Sequence, residues 1–200
     1  ALSTGLLTFG DVAYYFDPQA EYPEAVKSTT RTINGITYQF DSTGRGTMVT
    51  ARYGVTGEWS YSNGVLYGPA VSQRNVGSNH VVVSLRHQYM WIFKDYELAL
   101  SIPIVSGKPD TPTIKGEFRI YSKERNRYLE GPGYKSWVNY WAPFSGDYGI
   151  HDASWQPASI FYKDSRAYTW RGSKGCVNVH PSRMAEVFRN ISVGTPVTVY

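Results

Sequence analysis

Two hundred residues, 42% of them hydrophobic and 18% charged, suit one large domain or two small ones with a proper core. The net charge of +4 and a pI near 9.0 fit an anionic partner, but the basic residues are scattered rather than clustered, which speaks against nucleic acid. No apolar run is long enough to span a membrane, and one cysteine with four histidines, none in an HExxH helix, argues against a metal enzyme.

The chain opens on Ala1-Leu2-Ser3 without a methionine or a recognisable leader and reads as a mature or trimmed piece. Abundant glycine and tyrosine favour short strands and turns over helices. Gly10-Asp11-Val12-Ala13-Tyr14-Tyr15-Phe16-Asp17 and Asn34-Gly35-Ile36-Thr37-Tyr38-Gln39-Phe40-Asp41 match at an offset of 24, with Tyr22-Pro23-Glu24 inserted between them. Each reads as a turn, a short alternating strand, and an Asp that breaks it. A weaker echo, Ser62-Asn63-Gly64-Val65-Leu66-Tyr67, follows Trp59 and Tyr61. One hairpin cannot bury its own apolar face, so such units stack. They resemble the aromatic cell-wall-binding repeats of Gram-positive surface proteins. That resemblance makes residues 1–72 stacked hairpins whose exposed rings bind wall glycan or a choline-like ligand. Half of the rings in a stacked array must face inward, so core packing is the competing role for the same aromatics.

Gly68-Pro69 and the polar stretch 72–79 mark a boundary, and a second unit covers residues 77–200. There, residues 81–85, 89–94, 98–105, 116–121 and 196–200 read as strands, with a turn over 94–97. One helix is expected near the end, opened by Pro181, presenting Met184, Phe188 and Ile191 on one face, and stopped by Gly194. The fold class is therefore mainly β: stacked hairpin repeats followed by a β-sandwich-like unit with one or two short helices.

The lone thiol lies in RGSKGCVNVHP, residues 171–181. A Gly-flanked, cation-flanked polar loop is a poor place for an inert buried cysteine. A free thiol with a pKa of about 8.5 is only a few per cent thiolate at neutral pH, so a histidine must take its proton. Arg171 and Lys174 supply positive charge that would lower that pKa. Gly172 and Gly175 allow a tight turn, and backbone N–H groups at Gly175 and Cys176 could stabilise an oxyanion. Of the histidines, His151 beside Asp152 is the expected base and His180 the backup, while His80 and His87 read as structural.

Four segments in order resemble the YkuD-type L,D-transpeptidase catalytic domain. They are the strands around Val83–Ile92; Val105-Ser106-Gly107-Lys108 with Thr111-Pro112-Thr113-Ile114-Lys115-Gly116-Glu117-Phe118; Gly149-Ile150-His151-Asp152; and Ser173-Lys174-Gly175-Cys176-Val177-Asn178. The resemblance implies a β-sandwich-like peptidoglycan enzyme outside a Gram-positive cell, active in wall biogenesis and cell shape. It would form 3→3 cross-links through a Cys176 thioester, release the terminal D-alanine of a donor tetrapeptide stem, and need no cofactor. Hydrolysis of the same bond, as an L,D-carboxypeptidase, or a degenerate wall-binding protein are the alternatives. Acylation of Cys176 by carbapenems is implied as well. Catalysis falls to Cys176, His151, Gly175, Asp152 and Ser173, and substrate binding to Arg171, Lys174, Asn178, Tyr140 and Trp141. Two departures stand out: Lys174 replaces the family's usual second histidine, and Ile114 a common proline. The longer interval before Ser173, residues 157–168, is expected to form a loop over the site.

Overall fold

The computed structural model of the chain describes residues 4–9, 12–20, 24–33, 36–48, 52–53, 58–161 and 166–200. Its strands, in chain order, are β1 (Gly5–Phe9), β2 (Val12–Phe16), β3 (Thr29–Ile33), β4 (Ile36–Phe40), β5 (Gly46–Met48), β6 (Arg52–Tyr53), β7 (Trp59–Ser62), β8 (Val65–Gly68) and β9 (Val71–Asn75). There follow β10 (His80–Ser84), β11 (Tyr89–Lys94), β12 (Glu97–Pro103), β13 (Gly116–Arg119), β14 (Glu124–Gly131), β15 (Tyr134–Ser145), β16 (Tyr148–Asp152), β17 (Val177–Val179) and β18 (Pro196–Val199). The helices are α1 (Tyr168–Arg171) and α2 (Pro181–Asn190). No helix among the described residues is long and apolar enough to cross a membrane.

The two repeat strands are real: they are β2 and β4, in an antiparallel sheet of order β1-β2-β5-β4-β3. Asp41 ends β4 as expected, its Oδ1 accepting from the backbone N–H groups of Thr43 and Arg45 at 2.8 and 3.0 Å. The expected turns at Gly10-Asp11 and Asn34-Gly35 lie outside the described residues, as do residues 21–23 of the insertion. Tyr38 and Phe40 are buried, with Leu6, Tyr15, Val26 and Ile33 packed around them. Those rings form the core of the sheet.

The third, weaker unit is the hairpin β7–β8, and it belongs to a different sheet, β6-β7-β8-β9. Asn63 (φ 48°) and Gly64 (φ 75°) form its turn, both in the left-handed region that a tight hairpin requires. Its apolar face is shared with the second unit: Trp59, Tyr61, Leu66 and Val76 pack on Val82, Trp91 and Phe93. Ring centroids are 5.2 Å apart for Trp59–Trp91 and 4.3 Å for Tyr61–Phe93. The Trp59 indole N–H also donates to the Tyr200 hydroxyl at 3.0 Å. On the far side, Arg74 of β9 pairs with Glu117 of β13, and buried His80 meets Thr198 at 3.0 Å. The boundary expected over 72–79 therefore falls within a jointly packed body. Those residues are polar because β9 is an exposed edge strand.

The second unit is a sandwich of a five-stranded sheet, β12-β11-β10-β18-β13, and a four-stranded sheet, β14-β15-β16-β17. Val81 and Val83 face the core between these sheets, while Val82 faces the hairpin, which explains why β10 is an unbroken valine run buried on both sides. Helix α2 seats Met184 and Val187 in the core with Phe188 partly covered. It begins at Pro181, as the sequence indicates, but ends at Asn190. Ile191 is already extended, and Gly194 (φ 89°) serves the turn into β18. Of the segment expected to form a loop over the site, residues 162–165 lie outside the described residues; among the described ones none lines the cleft, and Phe161 is buried beside Val105 and Ala153.

The shared core predicts that Trp59→Ala lowers the unfolding free energy by about 3–5 kcal/mol. Denaturant titration of the whole chain checks this; a loss below about 1 kcal/mol would show that the hairpin and the sandwich are independent.

Candidate active site

The pairing of β16 with β17 is parallel, and its register sets Ile150 opposite Val177 and His151 opposite Asn178. Directly opposed residues point to the same side of a sheet, so His151 and Asn178 stand together, and Cys176, two residues before Asn178, falls on that side as well. All three line one cleft of about 740 Å³, beneath the β14–β15 hairpin.

The loop that carries Cys176 is held by backbone hydrogen bonds on one side and by Ser173 on the other. Ser173 N–H donates to Ser106 O at 3.0 Å, and Ser173 O accepts from Lys108 N–H at 3.1 Å and from the Thr111 hydroxyl at 3.0 Å. The Ser173 hydroxyl donates to Cys176 O at 2.6 Å and accepts from Gly175 N–H at 3.0 Å. Ser173 is thus the staple of the turn that presents Cys176. Gly175 has φ 121°, and a Cβ there would come within 2.5 Å of the Tyr148 ring, so both its conformation and its space demand glycine. Of the two N–H groups expected to face an oxyanion, that of Gly175 is engaged by the Ser173 hydroxyl, whereas that of Cys176 meets no acceptor among the described residues.

The half-buried Cys176 thiol donates to the Asp147 carbonyl at 3.3 Å. Burial pushes its pKa up to about 11, the Gly149 N–H pulls it down, and the Asp147 charge adds to the rise. This reverses the expected effect of the neighbouring cations. The exposed Arg171 ends α1 and is absent from the cleft lining. The ammonium of Lys174 lines the cleft but donates to Pro132 O at 2.7 Å and sits 4.6 Å from the centre of the Tyr134 ring.

His151 is buried between two indoles, its ring 5.7 Å from Trp141 and 5.8 Å from Trp155. Its Nδ1 lies 2.8 Å from the Asp152 carbonyl, which can only accept, so Nδ1 carries the proton and Nε2 the lone pair. Burial lowers the pKa of the ring; the Asp152 carbonyl and charge oppose that fall. The imidazole is therefore neutral near pH 7, and its Nε2 makes no hydrogen bond to Cys176 in this resting arrangement. Asp152 orients His151 through its main chain. Its carboxylate turns away and accepts from the N–H groups of Asn139 and Tyr140 at 2.9 and 2.8 Å, fixing β15 against β16.

Asn178 is 1% exposed, and neither its side-chain oxygen nor its nitrogen has a hydrogen-bond partner among the described residues. Unmade hydrogen bonds on a buried amide are costly, and this amide lines the cleft where a peptide would satisfy them. Trp141 lines the cleft, but Tyr140 does not. Adjacent strand residues face opposite ways, and the Tyr140 ring packs 5.0 Å from Phe188 on the core side. His180 is the N-cap of α2, its Nδ1 accepting from Ser182 N–H at 3.2 Å, and it does not line the cleft. The sequence reading passed over Trp155, Asp147 and Tyr134, all cleft residues without a local motif to mark them.

The YkuD family, the L,D-transpeptidase catalytic domain, matches residues 78–199. L,D-transpeptidase 1 of Mycobacterium tuberculosis is 28% identical over 130 residues, 59% of this chain and 49% of that protein, so the chain spans about half the length of that relative. The crystal structure of a cysteine-to-serine mutant of the Enterococcus faecium L,D-transpeptidase superposes with a TM-score of 0.56. It has 27% identity and covers 86% of this chain and 94% of its own. The catalytic domain of the E. faecium enzyme acylated by ertapenem, solved by NMR, gives a TM-score of 0.54 at 43% identity, covering 62% of this chain and 97% of that one. With its sandwich, its paired β16–β17 strands and its match over most of the second unit, the chain belongs to the YkuD family of L,D-transpeptidase catalytic domains.

Proposed function

We propose that the protein is a peptidoglycan L,D-transpeptidase that forms 3→3 cross-links through a thioester on Cys176. The observation that carries this reading is the convergence of Cys176, a neutral His151 with Nε2 unprotonated, and an unsatisfied buried Asn178 in one cleft. A thiol with a pKa of about 11 is ionised in only about one molecule in ten thousand at pH 7. Proton transfer to His151 is therefore part of the reaction: the thiol leaves the Asp147 carbonyl and turns to Nε2 when a stem is bound. Catalytic hydrogen bonds that are long in a free enzyme commonly tighten in this way.

In the first half-reaction Cys176 Sγ attacks the carbonyl carbon of the third stem residue while Nε2 takes the thiol proton. The oxyanion is held by the Cys176 N–H, with the Asn178 amide binding the stem main chain. Collapse breaks the C–N bond, and the imidazolium returns its proton to the departing D-alanine amine. In the second half-reaction an acceptor amine attacks the thioester carbonyl, loses a proton to His151, and the thiol is regenerated. Trp141 and Trp155 hold the imidazole in place, and Lys174, together with Lys108 on the same lining, offers positive charge to stem carboxylates. Arg171 and Tyr140 have no part in this chemistry. The acylated E. faecium domain supports the expectation that carbapenems acylate Cys176. The protein acts in this reading at the wall outside a Gram-positive cell, and its aromatic repeats are packed hairpins that carry the catalytic unit, rather than a display of ligand-binding rings.

Cys176→Ala abolishes thioester formation and dimer formation from tetrapeptide stems, with the fold retained by circular dichroism; surviving activity would sink the assignment. His151→Ala lowers acylation about 10²- to 10⁴-fold, whereas His180→Ala leaves it within a few-fold. In product analysis by mass spectrometry, free tripeptide stems without dimers identify a carboxypeptidase instead. The raised thiol pKa gives a pH test with a definite sign. Ionisation grows as pH rises toward about 11, so alkylation of free Cys176 by iodoacetamide accelerates about tenfold per unit between pH 7 and 9. A rate already level at pH 7 would instead reveal a preformed thiolate–imidazolium pair.

A further inference from the structure

No residue from Tyr121 to Trp137 is buried, so the outer part of the β14–β15 hairpin has no core of its own. Its strands hold each other through the ladder from Glu124–Trp141 to Gly131–Tyr134, and they carry the Tyr128–Trp137 ring pair and the Glu130–Lys135 ion pair. All of those contacts are internal to the hairpin. Among the described residues, the hydrogen bonds and ring contacts that tie residues 128–137 to another element come from one side chain, Lys174. Its ammonium donates to Pro132 O at 2.7 Å and lies 4.6 Å from the Tyr134 ring centre. Lys174 is two residues from the nucleophile, on the turn stapled by Ser173.

Tyr134 lines the cleft, and its ring folds so closely over Gly131 that a Cβ there would come within 2.4 Å of it. Its hydroxyl is within electrostatic range of Cys176 and Asp147, and burial is the largest cause of its raised pKa. The hairpin tip therefore overhangs the thiol and is fastened by a lysine that grows from the thiol's own loop.

We propose that Lys174 is a positioning residue, a clasp that holds the tip of the β14–β15 hairpin and its Tyr134 ring down over Cys176 and releases them when a carboxylate-bearing ligand enters the cleft. The chemistry suits lysine. Its flexible stem and three donors serve a carbonyl and a ring face together, which a planar imidazole at this position cannot do. A carboxylate accepts from an ammonium more strongly than a neutral carbonyl does, so a stem terminus draws Lys174 away from Pro132 and frees the tip. The release step rests on the proposed activity; the clasp does not.

The test is hydrogen–deuterium exchange on the whole chain, comparing wild type with Lys174→Met and Lys174→Arg, and following peptides over 128–137 and over β10–β11. Loss of the clasp in Lys174→Met speeds exchange at the tip about tenfold, equivalent to about 1.4 kcal/mol, with β10–β11 unchanged, and Lys174→Arg stays close to wild type. Unchanged tip exchange in Lys174→Met, or a tip as fast in the arginine variant as in the methionine variant, would overturn the clasp. Faster exchange in β10–β11 as well would also overturn it, by showing a general structural role. Adding ertapenem to each protein and weighing the adduct on Cys176 keeps the two ideas apart. Absence of an adduct in all three proteins refutes the proposed activity while exchange still reports on the clasp.

Discussion

Everything at the site depends on the parallel pairing of two short strands, β16 and β17. Register decides which side chains share a face, and a slip of one residue would turn His151 into the core and bring Ile150 to the cleft. The pairing is anchored from both sides. Asn178 exchanges backbone hydrogen bonds with Val105 at 2.9 Å in each direction, and Ala153 N–H donates to Val179 O at 3.1 Å. The Asp152 carboxylate then locks β16 to β15 through the Asn139 and Tyr140 N–H groups. A carboxylate next to a catalytic histidine is easily read as its electrostatic partner. Here it is a structural bolt, and the histidine takes its tautomer from the peptide carbonyl beside it.

The electrostatics of the free protein follow from burial. Cys176 is pushed up and His151 down, and each shift favours the neutral form. A neutral thiol beside a neutral imidazole has little nucleophilic power at rest, which protects the only cysteine of the chain from oxidation and stray alkylation. In the proposed mechanism, reactivity belongs to the complex with substrate, where the thiol exchanges the Asp147 carbonyl for Nε2.

Much of this was legible in the sequence, and the failures have physical causes. The valine run of β10, the alternating aromatic strand β11 and the Pro181 start of α2 follow from periodicity and capping, and the two motifs that carry His151 and Cys176 meet in one cleft, with a steric reason for Gly175. Tyr140 and Trp141 were grouped as groove residues although neighbours on a strand must face opposite ways, and the structure separates them accordingly. Arg171 and Lys174 were expected to lower the thiol pKa because they are near it in sequence. Nearness in space is a different matter: Arg171 is exposed and absent from the cleft lining, and Lys174 reaches across to a hairpin. The polar stretch 72–79, expected as a boundary, includes the edge strand β9, whose composition resembles a linker's, and the family match begins just after it, at residue 78. Asn178 was singled out by motif, while its unsatisfied burial is a tertiary fact that sequence does not carry.

The resting protonation state is the centre of this mechanism, and nitrogen-15 NMR of His151 measures it most directly. In the free protein at pH 7 the ring should be neutral, with the proton on Nδ1 and the unprotonated Nε2 at its characteristic downfield shift. An imidazolium at that pH, or a proton on Nε2, would contradict it.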